Sequence, residues 1–363
     1  MITTIAIAKA GPTNPRNDTA CIAELPDGRL LAVWHKYEGE TNTGSDFDGC
    51  RIYAKTSRDG GTTWGEERLL IDADPEDNNV QAPGLCLLPD GTLLLHCLRG
   101  HRGANSSSMD VYASNNGGES WELRSRVWER SQGQWLQGGA NQMNLLSGGR
   151  LLLPFHFGDG HQGKQHNTVG CFYSDDGGVN WVQAAGTVRL PMRGAMEPSV
   201  AELASGTLIM SLRSQLGSVF LARSEDRGET WTLPQTSGLK ATESCTCIRR
   251  IPGTNVLTLF WNDSLYDPGT HHYGLRTPLS AAVSEDEGRT WRKVGDIATG
   301  PYAFFNLNCM FTSQGKAILT YAKREEPRLM AHPEKVSKAI HQFAALIEPD
   351  WLISGGAPER AAE

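Results

Sequence analysis

Charged side chains lie at the ends of apolar stretches in this sequence, where they could take part in chemistry. Arg213 ends the stretch LIMSLR, Arg276 lies in LRTPL just before another such stretch, and Glu197 lies in MEPSV. An arginine binds a carboxylate through two parallel N–H donors and keeps its charge at any working pH. A buried glutamate in such a place needs a partner. These residue types make the ends of the apolar stretches candidate positions for a functional site.

Histidines suggest a second kind of chemistry. His156, His161 and His166 fall within 11 residues. A histidine paired with a tyrosine can remove the proton beside the carboxylate of a uronic acid, which is the chemistry of a lyase. Three close histidines can also bind a metal, but no helical or Cys-x-Cys context accompanies them. Solvated loop histidines are the simpler interpretation, and we expect neither a metal nor another cofactor.

A repeated frame, S-x-D-x-G-x-x-W, positions these residues. It occurs as SRDGGTTW, SNNGGESW, SDDGGVNW, SEDRGETW and SEDEGRTW, with the serines 50 to 60 residues apart. The aspartate accepts hydrogen bonds from turn N–H groups, and the glycine permits a positive φ. Each copy therefore predicts a hairpin turn, whose tryptophan we expect to pack against the next repeat.

A second repeat interleaves with the first. Paired apolar stretches are joined by an L-x-x-G turn, and each pair reads as a hairpin of two buried strands. The last repeat has three strands of its own, so a strand at residues 2–8 is expected to supply its fourth. We predict an all-β fold, a six-bladed β-propeller closed by the N-terminal strand, over residues 1–350, with a tail at 351–363. The six turns centre on Gly28, Gly91, Gly149, Gly206, Thr254 and Gly315.

Composition limits the remaining possibilities. The chain has 363 residues, 34 basic against 41 acidic groups and a formal charge of −7. Without a Lys/Arg block or a run of 18 apolar residues, we expect neither a nucleic-acid partner nor a membrane span. Eight scattered cysteines and the lack of a signal-peptide pattern favour reduced thiols in the cytoplasm, or a periplasmic or secreted location if a signal was removed. Nothing in the sequence indicates the oligomeric state.

The propeller topology assigns residues to one face. The residues just before each inner strand and just after its hairpin partner collect at the end opposite the turns. This face is the best candidate for a site. It is expected to include Arg16, Asp18, residues 35–48, Gln81, Arg99, His101, Arg102, Asn141, His156, Asp159, His161, Arg193, Glu197, Arg213, Glu243, Asn262, Asp263, Tyr273, Arg276, residues 302–306, Lys323 and Arg324.

The repeated frame resembles the Asp box of sialidases. Beyond the boxes, NPRNDTACIAELPDGRLLAVW, MEPSVAELASGTLIMSLRSQLG and LRTPLSAAVSEDEGRTW resemble the bacterial sialidase-like (BNR repeat) family. That resemblance implies a clamp of three arginines, Arg16, Arg213 and Arg276, around a substrate carboxylate, with Arg99 in reserve. It also implies Glu197 as a catalytic glutamate, for which Glu202 is the competing match.

The resemblance further implies an acid/base aspartate in the loop HKYEGETNTGSDFDGC. We favour Asp46 slightly, with Asp48 beside it as a substrate-binding candidate and His156 as another. The family's tyrosine nucleophile is not matched, because GPYAFFNLN places Phe304 or Phe305 at that position. Tyr302 is our candidate for the nucleophile in its place, and Tyr273 is a second candidate. Without a tyrosine, a water could attack in a single displacement.

Three functions are therefore expected from this face. The first is a sialidase-like exo-glycoside hydrolase acting on a glycan or acid sugar that carries a carboxylate, such as a sialoside. The second is a uronic-acid lyase or a hydrolase of a different sugar. The third is a non-catalytic glycan-binding propeller, which the phenylalanines also permit.

Overall fold

Each sequence repeat folds into one antiparallel sheet, and six sheets form a six-bladed β-propeller, as predicted. The computed structural model describes residues 1–103, 106–129, 135–137, 142–158 and 166–355. The N-terminal strand is β1 (Ile2–Ala8). Blade 1 contains β2 (Arg16–Glu24), β3 (Leu30–Tyr37), β4 (Cys50–Ser57) and β5 (Arg68–Ile71). Blade 2 contains β6 (Asp77–Leu87), β7 (Leu93–His101), β8 (Ser107–Ser114) and β9 (Glu122–Trp128).

The third blade has a divided inner strand, because two short segments both pair with its second strand. It contains β10 (Leu136–Gln137), β11 (Asn144–Leu145), β12 (Leu151–Gly158), β13 (Asn167–Ser174) and β14 (Val182–Gln183). Blade 4 contains β15 (Met196–Glu202), β16 (Leu208–Arg213), β17 (Ser218–Ser224) and β18 (Gln235–Lys240). Blade 5 contains β19 (Cys247–Arg250), β20 (Leu257–Asn262), β21 (Leu279–Ser284) and β22 (Arg292–Ala298).

The ring closes through pairing of the two chain ends. Blade 6 contains β23 (Tyr302–Phe311), β24 (Ala317–Glu325) and β25 (His341–Ile347), and β1 is its fourth strand. Strand β1 runs antiparallel to β25, with Ile2 opposite Ile347. The prediction that the N-terminal strand completes the last blade is confirmed. The helical segments are short: 3₁₀ turns at His271–Tyr273, Pro327–Leu329 and Pro333–Lys335, and the helix α1 (Pro349–Ser354).

The inner hairpins turn on residues with left-handed backbone. Gly28 has φ of 81° and accordingly tolerates a conformation that a side chain would strain. Four further turn glycines have φ between 81° and 87°. In blade 5 the left-handed residue is Gly253 rather than Thr254, because this turn is one residue longer and Ile251 N bonds to Val256 O.

The boxes are held by the hydrogen bonds that the frame predicts. In the first box, Ser57 Oγ donates to Asp59 Oδ1 at 2.8 Å and accepts from Gly61 N at 2.9 Å. Asp59 Oδ1 also accepts from Thr63 N at 2.9 Å. The same serine bonds recur in the other four boxes, with Asn116 replacing the aspartate in the second.

The box tryptophans pack against the preceding blade, which corrects the expectation that they face the following one. Trp121 of blade 2 lies on a cluster that includes Leu31 of blade 1, and Trp64 of blade 1 lies on one that includes Leu346 of blade 6. The box turn doubles back over the edge facing the earlier blade, and the box glycine there packs against that blade's leucine. The core is thus a ring of six apolar layers, each between two neighbouring blades.

The remaining elements seal this core. Trp351 and Leu352 of α1 are buried in the layer between blades 5 and 6. All eight cysteines are buried and unpaired, as expected of structural thiols. Across the described ranges, no helix is long and apolar enough to cross a membrane.

Candidate functional site

Four inner strands carry a β-bulge near the end opposite their turn. The bulge residue has a left-handed backbone in each strand, with φ of 46°, 53°, 42° and 53° in chain order. Each precedes its turn glycine by nine residues, and each lies at a shift in strand register. A bulge redirects a side chain, and strained backbone of this kind clusters at functional sites. The four residues are Thr19, Ala82, Glu197 and Asn306.

These four residues line one cavity of about 430 Å³, at the face opposite the boxes. Among the described residues, five arginines but only two acidic side chains, Asp46 and Glu197, contribute to its walls. The cavity therefore has an excess of positive charge and suits an anionic ligand. The arginines are Arg16, Arg193, Arg213, Arg276 and Arg324.

Glu197 and Arg213 form the centre of a charged network. Arg213 Nη1 donates to Glu197 Oε1 at 2.7 Å, and Nη2 donates to Glu243 Oε1 at 3.2 Å. Glu243 Oε1 also accepts from Arg193 Nη1 at 2.8 Å, and its Oε2 accepts from Gln215 at 3.2 Å. Burial disfavours the charged form of Arg213, but the two glutamates outweigh this and raise its pKa. The network fixes the direction in which Arg213 presents its guanidinium.

Arg276 lies beside this network and is less fully paired. Its Nη2 donates to the backbone oxygen of Glu243 and contacts His272 Nδ1, each at 3.2 Å. Burial lowers the pKa of Arg276 to about 10, and the charge of Arg213 adds to the effect. Its Nε is buried without a hydrogen-bond acceptor among the described residues, as is the Nε of Arg213. An anion in the cavity would relieve both deficits.

Arg16 is more fully committed to other partners. Its Nε and Nη2 both donate to Asp18 Oδ2, at 2.8 and 2.6 Å, and its Nη1 donates to Gly44 O at 2.9 Å and Asp46 Oδ1 at 2.6 Å. Asp18 is fully buried; burial would raise its pKa, but the charge of Arg16 outweighs this and lowers it. Asp46 is 71% exposed at the rim. Arg16 thus connects the inner strand to the loop that carries Asp46.

Two histidines support the bulges from neighbouring blades. His35 Nδ1 accepts from Ala82 N at 3.1 Å, and His156 Nδ1 accepts from Glu197 N at 3.3 Å. Both follow their turn glycine by seven residues. Burial lowers the pKa of His35 to about 4 and that of His156 to about 3, so both are neutral. His156, our substrate-binding candidate, is 2% exposed and acts on the backbone of Glu197.

Two other candidates lie away from the cavity walls. The carboxylate of Asp48 accepts from Thr43 N and Oγ1, each at 2.7 Å, and orders its own loop. Arg99 is 6% exposed in blade 2, where Nε donates to Asp110 at 2.9 Å and Nη1 to Asp77 at 2.5 Å. Arg99 follows its turn glycine by eight residues and Arg213 by seven, so the two point to opposite faces of their strands.

The aromatic residues of β23 also lie on opposite faces of their strand. Tyr302 lies under Lys323, whose Nζ is 3.7 Å from the ring centroid, and it is not part of the cavity wall. Phe304 is buried in the core between blades 5 and 6. Phe305 lines the cavity, with the guanidinium carbons of Arg276 and Arg324 at 5.5 and 5.8 Å from its ring centroid.

Some cavity residues were not anticipated from the sequence. His271 and His272 line the wall from the short 3₁₀ turn before Arg276. The constant nine-residue offset to the turn glycine would have identified Thr19 and Ala82. Asn141, Asp159 and His161 lie outside the described residues. Within the described part of the chain, no group of His, Cys, Asp or Glu is placed to hold a metal ion.

The propeller, its boxes on one face and the arginine-lined cavity on the other define a sialidase-like β-propeller. The family model for the BNR repeat-like domain matches residues 28–331, and the chain belongs to this family. No curated protein matches the chain significantly.

Solved structures share the fold at low identity. A protein of unknown function from Dyadobacter fermentans is 18% identical, with a TM-score of 0.71 and coverage of 95% of this chain and 99% of that one. The NanB sialidase from Streptococcus pneumoniae is 15% identical, with a TM-score of 0.74 and coverage of 95% and 71%. Trypanosoma rangeli sialidase in complex with sialic acid is 15% identical, with a TM-score of 0.72 and coverage of 97% and 60%. Likeness at this identity establishes the fold alone.

Proposed function

We propose that the protein is an exo-acting glycosidase that removes a terminal sugar bearing a carboxylate. The observation that carries this proposal is the arginine excess of the cavity, where the Nε groups of Arg213, Arg276 and Arg324 are buried without an acceptor among the described residues. Buried donors of this kind are costly unless a ligand satisfies them. A volume of about 430 Å³ suits one terminal sugar better than a long segment of a glycan chain.

The carboxylates suit a displacement by water. Glu197 Oε2 is buried at the cavity without a partner among the described residues and can accept a proton from water. Asp46, exposed at the rim, donates a proton to the leaving oxygen. No tyrosine belongs to the described part of the cavity wall, and Phe305 has no group that could attack carbon. Single displacement inverts the anomeric configuration.

The test is release of a fluorescent aglycone from methylumbelliferyl glycosides of N-acetylneuraminic, glucuronic and galacturonic acids, with the neutral galactoside as control. We expect release from an acid sugar only, and the first product seen by proton NMR should have inverted configuration. Retention would overturn the water mechanism.

The same assay separates the alternative functions. With a 4-linked oligouronide added as a substrate, ultraviolet absorbance from the C4–C5 double bond of an unsaturated uronate would identify a lyase. Binding of the acid sugars without any product would identify a glycan-binding propeller, which the presence of Phe305 favours over a tyrosine-dependent enzyme. If the protein neither binds nor turns over any of the acid sugars, the proposed function is overturned.

A further inference from the structure

Among the five arginines of the cavity wall, Arg324 differs in making no hydrogen bond or ion pair with a described residue. It lines the cavity from β24, and its Nε is buried. Its neighbour Lys323 points to the other side of the strand, where it covers Tyr302. A buried arginine donor without an acceptor is a cost to the fold that an anionic ligand removes.

Arg16 shows the opposite arrangement. Nε, Nη1 and Nη2 all have acceptors within the protein, and one of them is the fully buried carboxylate of Asp18. Binding a substrate carboxylate through Arg16 would require the breaking of charge-assisted hydrogen bonds, which are among the stronger ones in proteins. Arg324 can bind an anion without breaking any described bond.

The position of Arg324 also suits a shared anion. The guanidinium carbons of Arg324 and Arg276 lie 5.8 and 5.5 Å from the centroid of the Phe305 ring, and all three residues line the cavity. Arg276 in turn lies beside Arg213, since both donate to Glu243. The three cavity arginines with unsatisfied Nε groups therefore line neighbouring parts of its wall.

We propose that Arg324, together with Arg213 and Arg276, binds the carboxylate of the sugar acid, in the role that the family resemblance assigns to Arg16. Arg16 instead holds the loop carrying Asp46 against the inner strand. This inference rests on the proposed function, since it names the groups that recognise its substrate. It concerns binding, and it holds whether the sugar is then hydrolysed or only retained.

Calorimetric titration with free N-acetylneuraminic acid and free glucuronic acid tests this assignment. Arg324→Gln should raise the dissociation constant roughly 10- to 100-fold, the loss expected for charge-assisted hydrogen bonds. Arg324→Lys keeps the charge but loses the planar fork, so its dissociation constant should lie between those of the unmodified protein and Arg324→Gln. The matched control is Arg289→Gln on the box face, where the side chain is 74% exposed, and it should bind as the unmodified protein does. Thermal unfolding midpoints establish that each variant is folded.

The inference is overturned if Arg324→Gln binds within twofold of the unmodified protein while Arg16→Gln loses binding. That result would leave the proposed function standing. Failure of the unmodified protein to bind either sugar acid counts against the proposed function. Arg324 is then tested with sodium acetate, by following the arginine Nε–H signals in NMR. A saturable shift of a signal that is missing from Arg324→Gln supports a carboxylate site at Arg324, and no shift overturns it.

Discussion

Glu197 and Arg213 are joined across neighbouring strands by a 2.7 Å hydrogen bond, from Nη1 to Oε1. The other oxygen of Glu197 is buried at the cavity without a described partner, and its backbone has a left-handed φ of 42°. The bulge turns this carboxylate into the cavity, and the hydrogen bond from the arginine holds its orientation. Glu202, the competing sequence match, lies at the other end of the strand, where it accepts from Ser147 N and Oγ.

Glu197→Gln should lower kcat on the best acid-sugar glycoside by roughly 10²- to 10⁴-fold, the usual contribution of a proton-transfer group. The isosteric amide keeps the shape of the side chain and loses its ability to take a proton. The measurement is steady-state aglycone release. Glu202→Gln is the matched control and should retain full activity. Equal losses in the two variants would show that Glu197 has no special role in the reaction.

Arg99→Met should destabilise the fold by about 3–5 kcal/mol, because it leaves the buried carboxylate of Asp77 without its arginine and Asp110 with Arg126 alone. Urea unfolding at neutral pH measures the loss, with Arg58→Met on the box face as a control that should change stability little. The folded fraction should bind sugar acids normally. Selective loss of binding with unchanged stability would instead place Arg99 in the site.

Stability should fall as the pH is lowered from about 6.5 toward 5, before most carboxylates titrate. Burial lowers the pKa of His35 to about 4 and that of His156 to about 3, while the unfolded chain binds these protons near pH 6.5. The unfolded state gains protons first, so each histidine removes about 2 kcal/mol of stability between pH 6.5 and 5. The loss ends once the pH falls below the folded-state pKa values.

Urea unfolding at several pH values measures this slope. His35→Gln and His156→Gln should each reduce it. His332→Gln, where the side chain is 69% exposed, should leave it unchanged. An identical slope in the double variant and the unmodified protein would contradict the assignment of these histidines as buried and neutral.

Much of the site could be predicted from the repeat, and a simple alternation accounts for several differences. Arg213 and Arg324, seven and nine positions after their turn glycines, line the cavity, whereas Arg99, at eight, does not. Successive side chains of a strand point to opposite faces, so one position decides the matter. Tyr302 lies off the cavity wall for a related reason: it shares a face with Phe304, whereas Phe305 is the residue that reaches the cavity.

The sequence alone determined the fold, because its signals are local and repeated. A glycine with positive φ closes a hairpin, and a serine and an aspartate close each box, wherever the chain is in space. Six such units, with one N-terminal strand to complete the last of them, form a closed six-bladed propeller.

Only the tertiary structure decided how the arginines are used. Whether a guanidinium is available depends on which acceptors the surrounding loops and blades bring to it, and those contacts join residues far apart in the chain. Arg16 meets Asp46 from the rim loop, Arg213 meets Glu243 from the next blade, and Arg324 meets no described acceptor. The local sequence specifies each side chain, but the closed ring of blades determines which hydrogen-bond acceptors each arginine meets.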